Sequence, residues 1–131
     1  MTDDRRREDG ARAETLAARH LEAQGLRILT RNWRHPDGEL DIVADDHGTC
    51  VFVEVRSRTG EAFGHPLEAV SGRKRAQVIR AAKLYLATEP LVSSTGTGFQ
   101  GYRFDVVGVG FPEDGSPPTC HHVRDAFDLT R

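Results

Sequence analysis

The chain is predicted to be an α/β protein, a single domain with a mixed β-sheet and flanking helices. Three observations carry that prediction. Its 131 residues are one domain's length, enough to bury roughly two thirds of the unfolded surface. Helical and strand periodicities follow one another as α-β-β-β-α-β-β, the signature of a layered sheet domain. Two β-rich runs flank a short polar turn, which places a hairpin in the middle of the sheet.

Apolar residues make up 37% of the chain and charged residues 29%, a globular rather than a disordered balance. No run approaches the roughly 18 apolar residues of a membrane span. The charged start MTDDRRREDG has no apolar segment behind it, so a secretory signal is not expected. Cys50 and Cys120 are too few for a disulfide framework and read as reduced thiols of a cytoplasmic protein. A net charge of −2 excludes a protein that coats nucleic acid by bulk electrostatics. Between Arg56 and Lys83, however, seven basic residues stand against two acidic ones, a local +5. That suits an enzyme visiting a polyanion, and it equally suits a solvated helix face.

Residues 1–10 are charged, mixed in sign and aperiodic, which predicts a frayed, disordered tail ahead of a domain over 11–131. From Ala11 the pattern is helical, with Ala13, Leu16, Ala17, Leu21 and Gln24 on one face and Gly25 at the C-terminal cap. Leu26–Trp33 reads as a strand and His35-Pro36-Asp37-Gly38 as a turn. The runs Glu39–Ala44 and Cys50–Ser57 form the hairpin. A loop with Gly60, Gly64 and Pro66 leads into the longest helix, Leu67–Ala87. Residues 88–101 read as a loop, Tyr102–Val109 as a strand, 110–118 as a loop, and Cys120–Arg124 as a weak last strand.

The chemistry concentrates in the hairpin. A turn at His47-Gly48 sets Val43 opposite Phe52, Asp41 opposite Glu54 and Glu39 opposite Arg56. Period-two alternation then places Asp41, Glu54, Glu39 and Arg56 on one face, with Leu40, Ile42, Val51, Val53 and Val55 on the other. Two carboxylates directly opposed destabilise a sheet, unless a divalent cation such as Mg²⁺ or Mn²⁺ lies between them. Arg56 would project beside such an ion and contact phosphate. The plainer reading is a solvent-washed face, with Glu39 and Arg56 an ordinary cross-strand pair.

Gly38-Glu39-Leu40-Asp41 followed by Glu54-Val55-Arg56 matches the core of the PD-(D/E)xK nucleases. The segments GARAETLAARHLEAQGLRILTRNWR, GELDIVADDHGTCVFVEVRSR, FGHPLEAVSGRKRAQVIRAAKLYL and YRFDVVGV extend the match over roughly residues 10–128. On these the chain resembles the YraN family of uncharacterised bacterial proteins, restriction-endonuclease-like and similar to archaeal Holliday junction resolvases. The resemblance implies a restriction-endonuclease-like fold, with Asp41 and Glu54 as metal-ligand carboxylates. It also gives a site role to Glu14, which stands where related resolvases carry an acid on the first helix and borders the buried stripe.

Arg56 departs from the nuclease signature, which has Lys there. Arginine stays protonated and can hold charge but cannot hand a proton to or from water. Lys74, one of two lysines beside 16 arginines, lies on the apolar stripe Leu67–Val70–Lys74–Val78–Ala81–Tyr85. It either snorkels to the surface or reaches the carboxylates in the role Arg56 cannot fill. The candidate catalytic set is therefore Glu14, Asp41, Glu54, Arg56 and Lys74, with Arg58, Arg73, Arg75 and Arg80 as nucleic-acid contacts.

Weaker candidates are Phe63-Gly64-His65-Pro66 as a phosphate turn, the Cys120-His121-His122 run as metal ligands, Asp105 as support from the next strand, and Trp33 and Tyr102 as base-stacking rings. The expected function is a Mg²⁺- or Mn²⁺-dependent endonuclease-like protein that hydrolyses phosphodiester bonds in DNA, branched DNA included. A nucleic-acid-binding module that does not cut, favoured by Arg56, and a DNA-processing adaptor are the alternatives. The expected partner is nucleic acid, DNA first, with homodimerisation left open and no membrane.

Overall fold

The structure is a computed structural model that describes residues 2–60, 70–89 and 98–128, with side chains from residue 8 onward. Its elements are α1 (Thr2–Ala23), β1 (Arg27–His35), β2 (Gly38–Asp46), β3 (Thr49–Thr59), α2 (Gly72–Thr88), β4 (Gly101–Phe111) and β5 (Thr119–Phe127). The five strands form one mixed sheet in chain order. Every neighbouring pair is antiparallel except β3 and β4, which are parallel and joined through α2. This arrangement is compatible with the restriction-endonuclease-like fold. No helix among the described residues is long and apolar enough to cross a membrane.

One helix covers each sheet face. Ala13, Ala17 and Leu21 of α1 pack on Ile42, Ala44, Val51, Val53, Val107 and Val109. Val78, Ala81, Ala82 and Tyr85 of α2 pack on Leu40, Val43, Cys50, Phe52, Phe104 and Val106. Strand residues buried on both faces follow from this double cover, as does the near-continuous apolar reading of β2 to β4.

Local chemistry sets the boundaries. α1 reaches back to Thr2 through the stretch the charge pattern marks as a tail, while Ala13 is the first buried residue among its described side chains. Its other end closes at Gly25 (φ 95), with Leu26 N–H donating to the Leu21 carbonyl, the left-handed glycine cap. α2 starts at Gly72, five residues later than the periodicity predicts. Ser71 takes the N-cap position, and its hydroxyl accepts the Lys74 N–H at 3.2 Å. β1 and β5 each extend beyond their predicted ends, to His35 and Phe127.

The hairpin turn is His47-Gly48, both in the left-handed region (φ 52 and 99), as a two-residue turn requires. The predicted register holds from Asp46–Thr49 to Ile42–Val53. Gly38 allows α2 to lie against the start of β2: a Cβ there would stand 3.0 Å from Ala81 Cβ and 3.3 Å from its Cα. That close approach seats the middle of α2 on the start of β2.

Candidate functional site

The site lies where the sheet departs from regular alternation. Below Ile42–Val53 the β2–β3 ladder opens, and the Val55 N–H donates to Asp41 Oδ2 at 2.8 Å. Opposite Asp41 in the β1–β2 register stands Asn32, in the left-handed region at φ 55. Both strands change phase there. Leu40 joins the α2 cluster although Ile42 joins the α1 cluster, and Trp33 packs toward α2 although Arg31 reaches α1. In a regular strand, residues two apart share a face. The expectation that Asp41 and Glu54 share one face of a regular pair is therefore corrected. Glu54, in phase with Cys50 and Phe52, faces α2, and Asp41 meets it from the phase change.

Glu54 is 5% exposed. Two cations approach its Oε2, Arg56 through NH2 at 3.5 Å and Lys74 through Nζ at 3.7 Å. Burial, followed by the negative charge of Asp41 and a hydrogen bond with it, pushes Glu54 up to about 8, with Lys74 and Arg56 pulling the other way. A carboxyl held protonated beside a second carboxylate is a place where a divalent cation can replace the proton. Of the two courses open to Lys74, the structure has it pointing to Glu54 rather than away from the hairpin. Glu39 does not pair with Arg56; it accepts from Arg34 NH1 at 2.9 Å. Arg56 Nε is buried without a hydrogen-bond partner among the described residues.

Glu14 of α1 accepts from Arg31 Nε at 3.2 Å, and Arg31 NH2 donates to Thr15 Oγ1 at 2.9 Å. Burial raises the Glu14 pKa, Arg31 opposes it, and nearby Asp41 adds to the rise. Glu14, Arg31, Arg34 and Asp41 line a cleft of about 620 Å³ between α1 and β1. On the other side of β2, Gly38, Glu39, Lys74, Gln77 and Arg80 line a second cleft of about 520 Å³. Asp41 thus lines the first cleft, and Lys74, which reaches Glu54, lines the second.

Among the described residues no three His, Cys, Asp or Glu side chains gather as a ligand cluster. Asp41 and Glu54 are the carboxylates that could hold a hard divalent cation, which takes one or two protein carboxylates and completes its shell with water and phosphate oxygens.

The predicted contact residues separate. Arg73 and Arg80 are exposed on α2, and Arg58 is exposed near the end of β3. Arg75 instead packs on the fold, its Nε donating to the Val70 carbonyl at 3.2 Å and its guanidinium 5.8 Å from the Phe127 ring. Asp105 does not support the site. It is fully buried on the α1 face and accepts from Arg103 and from the Asp125 N–H, with His122 Nε2 2.7 Å away. His122 is committed to that network, and Cys120 Sγ lies 3.9 Å from the Leu16 carbonyl. Trp33 packs edge-on against Tyr85 and donates to Glu89 at 2.8 Å, which makes it part of the core. Tyr102 is the exposed ring, at 56%. The Phe63–Pro66 turn and Leu67 lie outside the described residues.

Sequence reasoning passed over Arg31 and Arg34. The signal was Asn32 between them, a residue that tolerates left-handed backbone, but a strand pattern alone assigns residues three apart to opposite faces.

A family model described as "Uncharacterised protein family UPF0102" matches residues 13–109. A UPF0102 protein of Frankia casuarinae is 46% identical over 118 residues, 90% of this chain and 94% of the relative. One from Pseudomonas aeruginosa is 43% identical over 129 residues, 98% and 99% of the two chains. One from Acidothermus cellulolyticus is 46% identical over 123 residues, 90% and 92%.

Proposed function

Since the chain belongs to the UPF0102 family, the family the YraN resemblance pointed to, we propose that it is a Mg²⁺- or Mn²⁺-dependent endonuclease-like enzyme acting on DNA. One observation carries the reading: buried Glu54 sits against Asp41 on one side and the Lys74 ammonium, 3.7 Å away, on the other. A pair of carboxylates is a donor set with which a hard metal can assist phosphodiester hydrolysis, and the lysine adds a positive charge beside it. Here the lysine comes from α2 rather than from the strand position that Arg56 occupies.

Asp41 and Glu54 would hold the ion, which when bound neutralises phosphate charge and makes water more acidic. The other groups act through charge and position. The Val55 N–H fixes the Asp41 carboxylate. Lys74 and Arg56 bring two positive charges to the Glu54 edge of the site, where phosphate oxygens gain charge during hydrolysis. Lys74 can also orient a water by donating to it, as a compact ammonium on a flexible stem. Arg73 and Arg80 on α2, together with Arg58, would hold the nucleic-acid backbone outside the site.

Arg56 favours a second reading, a module of the same fold that grips branched DNA without cutting it. Incubation of purified protein with junction, flap and linear DNA, in Mn²⁺ or in EDTA, separates the two. Cutting in Mn²⁺ alone, lost in Asp41→Ala and in Lys74→Gln, is the expected result. Salt-sensitive binding with no cutting on any of the three substrates would establish the binding module instead.

A further inference from the structure

The phase change at Asn32 has an effect beyond Asp41. Residues 31 and 34 of an ordinary strand point to opposite faces. With Asn32 at φ 55, both residues line the cleft beside α1 that also holds Asp41, and Arg34 NH1 also reaches Glu39 at 2.9 Å. Non-glycine left-handed residues are uncommon within strands, and such backbone is concentrated at functional sites.

We propose that Arg31 and Arg34 form a phosphate-binding subsite that takes the sugar–phosphate backbone of the bound DNA strand beside Asp41, opposite the side contacted by α2. The inference rests on the nuclease-like reading and adds to it a second bank of contacts. Arg31 and Arg34 are 40% and 67% exposed at the side chain, so a ligand in the cleft can reach both. Arg31 is steadied by Glu14 and Thr15, and Arg34 by Glu39. A guanidinium carries five N–H donors, and these bonds leave some of each for a phosphate. Glu14 is then a positioning residue for Arg31 rather than a ligand of its own. The DNA strand would cross the carboxylate pair, with Lys74 and Arg80 in one cleft and the β1 arginines in the other.

The test is fluorescence anisotropy of a labelled single-stranded oligonucleotide in EDTA, titrated with salt, so that binding is read without chemistry. Arg31→Gln and Arg34→Gln should each weaken binding roughly three- to tenfold and reduce the slope of log affinity on log salt by about one. Arg124→Gln, at the far hairpin end where Arg103 also holds Asp46, should change neither. Asn32→Gly, which keeps the left-handed backbone available, should bind as wild type, whereas Asn32→Val should lose affinity as the arginine variants do. Folding of each variant is checked by circular dichroism, and Arg31→Gln and Arg34→Gln alter only partly exposed side chains. Unchanged affinity and slope in both arginine variants, with Arg73→Gln and Arg80→Gln weakened, would overturn the subsite and leave the nuclease-like reading standing. Failure of wild type to bind any oligonucleotide would overturn both.

Discussion

Glu54→Gln gives a stability signature set by the geometry of the site. Burial first, then the adjacent Asp41 charge, raises the Glu54 carboxyl from an ordinary 4.5 to about 8. The folded chain therefore keeps a proton that the unfolded chain has released. Where the unfolded state binds fewer protons than the native state, stability falls as pH rises. Glu54 accordingly costs nothing below about pH 4.5, increasingly more between 4.5 and 8, and a constant amount above 8. A rise from 4.5 to about 8, at about 1.4 kcal/mol for each tenfold change in proton affinity, makes that amount on the order of a few kcal/mol. Glutamine keeps the size and hydrogen-bonding capacity of the protonated acid and has no proton to lose. Urea unfolding in EDTA at pH 5, 7 and 9 should show the variant close to wild type at pH 5 and clearly more stable at pH 9. Added Mn²⁺ at pH 9 should narrow the gap by stabilising wild type alone, since an ion bound only by the folded state acts by mass action. Parallel stability curves across this range would refute the carboxylate coupling on which the metal site rests.

Asp41→Asn should abolish any Mn²⁺ shift in wild-type melting temperature, with little change in EDTA because the amide oxygen still accepts the Val55 N–H; a retained metal shift in calorimetry would remove Asp41 from the ligand set. Gly38→Ala should lower stability by about 1–3 kcal/mol by overpacking against Ala81, and Mn²⁺-dependent cutting should drop with it as α2 moves Lys74 off Glu54. Asp105→Asn should cost about 3–5 kcal/mol in urea, the scale for breaking a buried ion pair from one side, because His122 and Arg103 lose the buried carboxylate and Arg103 keeps Asp46 alone. Burial would raise the Asp105 pKa, but His122, Arg103 and the Asp125 N–H outweigh it and hold the carboxyl below its ordinary value. Its contribution is thus present above about pH 3.8 and lost as pH falls through the lower folded value, so the Asp105→Asn deficit should shrink in strong acid.

The sequence by itself determined the element order, the hairpin and its register through Ile42–Val53, the cap at Gly25 and the place of Lys74 on the buried stripe of α2. These are local or periodic properties. A two-residue turn with Gly at its second place fixes the pairing of both strands, and a 3.6-residue repeat fixes which helical side chains face the sheet. The acidic pair was legible for the same reason, since Asp41 and Glu54 directly follow the last registered pair, Ile42–Val53. The tertiary structure decided what register cannot. The phase change at Asn32 and Asp41 ends the alternation that placed both carboxylates on one face, and it arises from a left-handed residue opposite an opened ladder. It also decided that Arg75 packs on Phe127, that Asp105 belongs to a buried network on the α1 face, and that Arg31 and Arg34 line one cleft. Each depends on what a distant segment presents to the side chain, α1 for Arg31, β1 for Glu14 and β5 for Asp105, and no spacing along the chain encodes that.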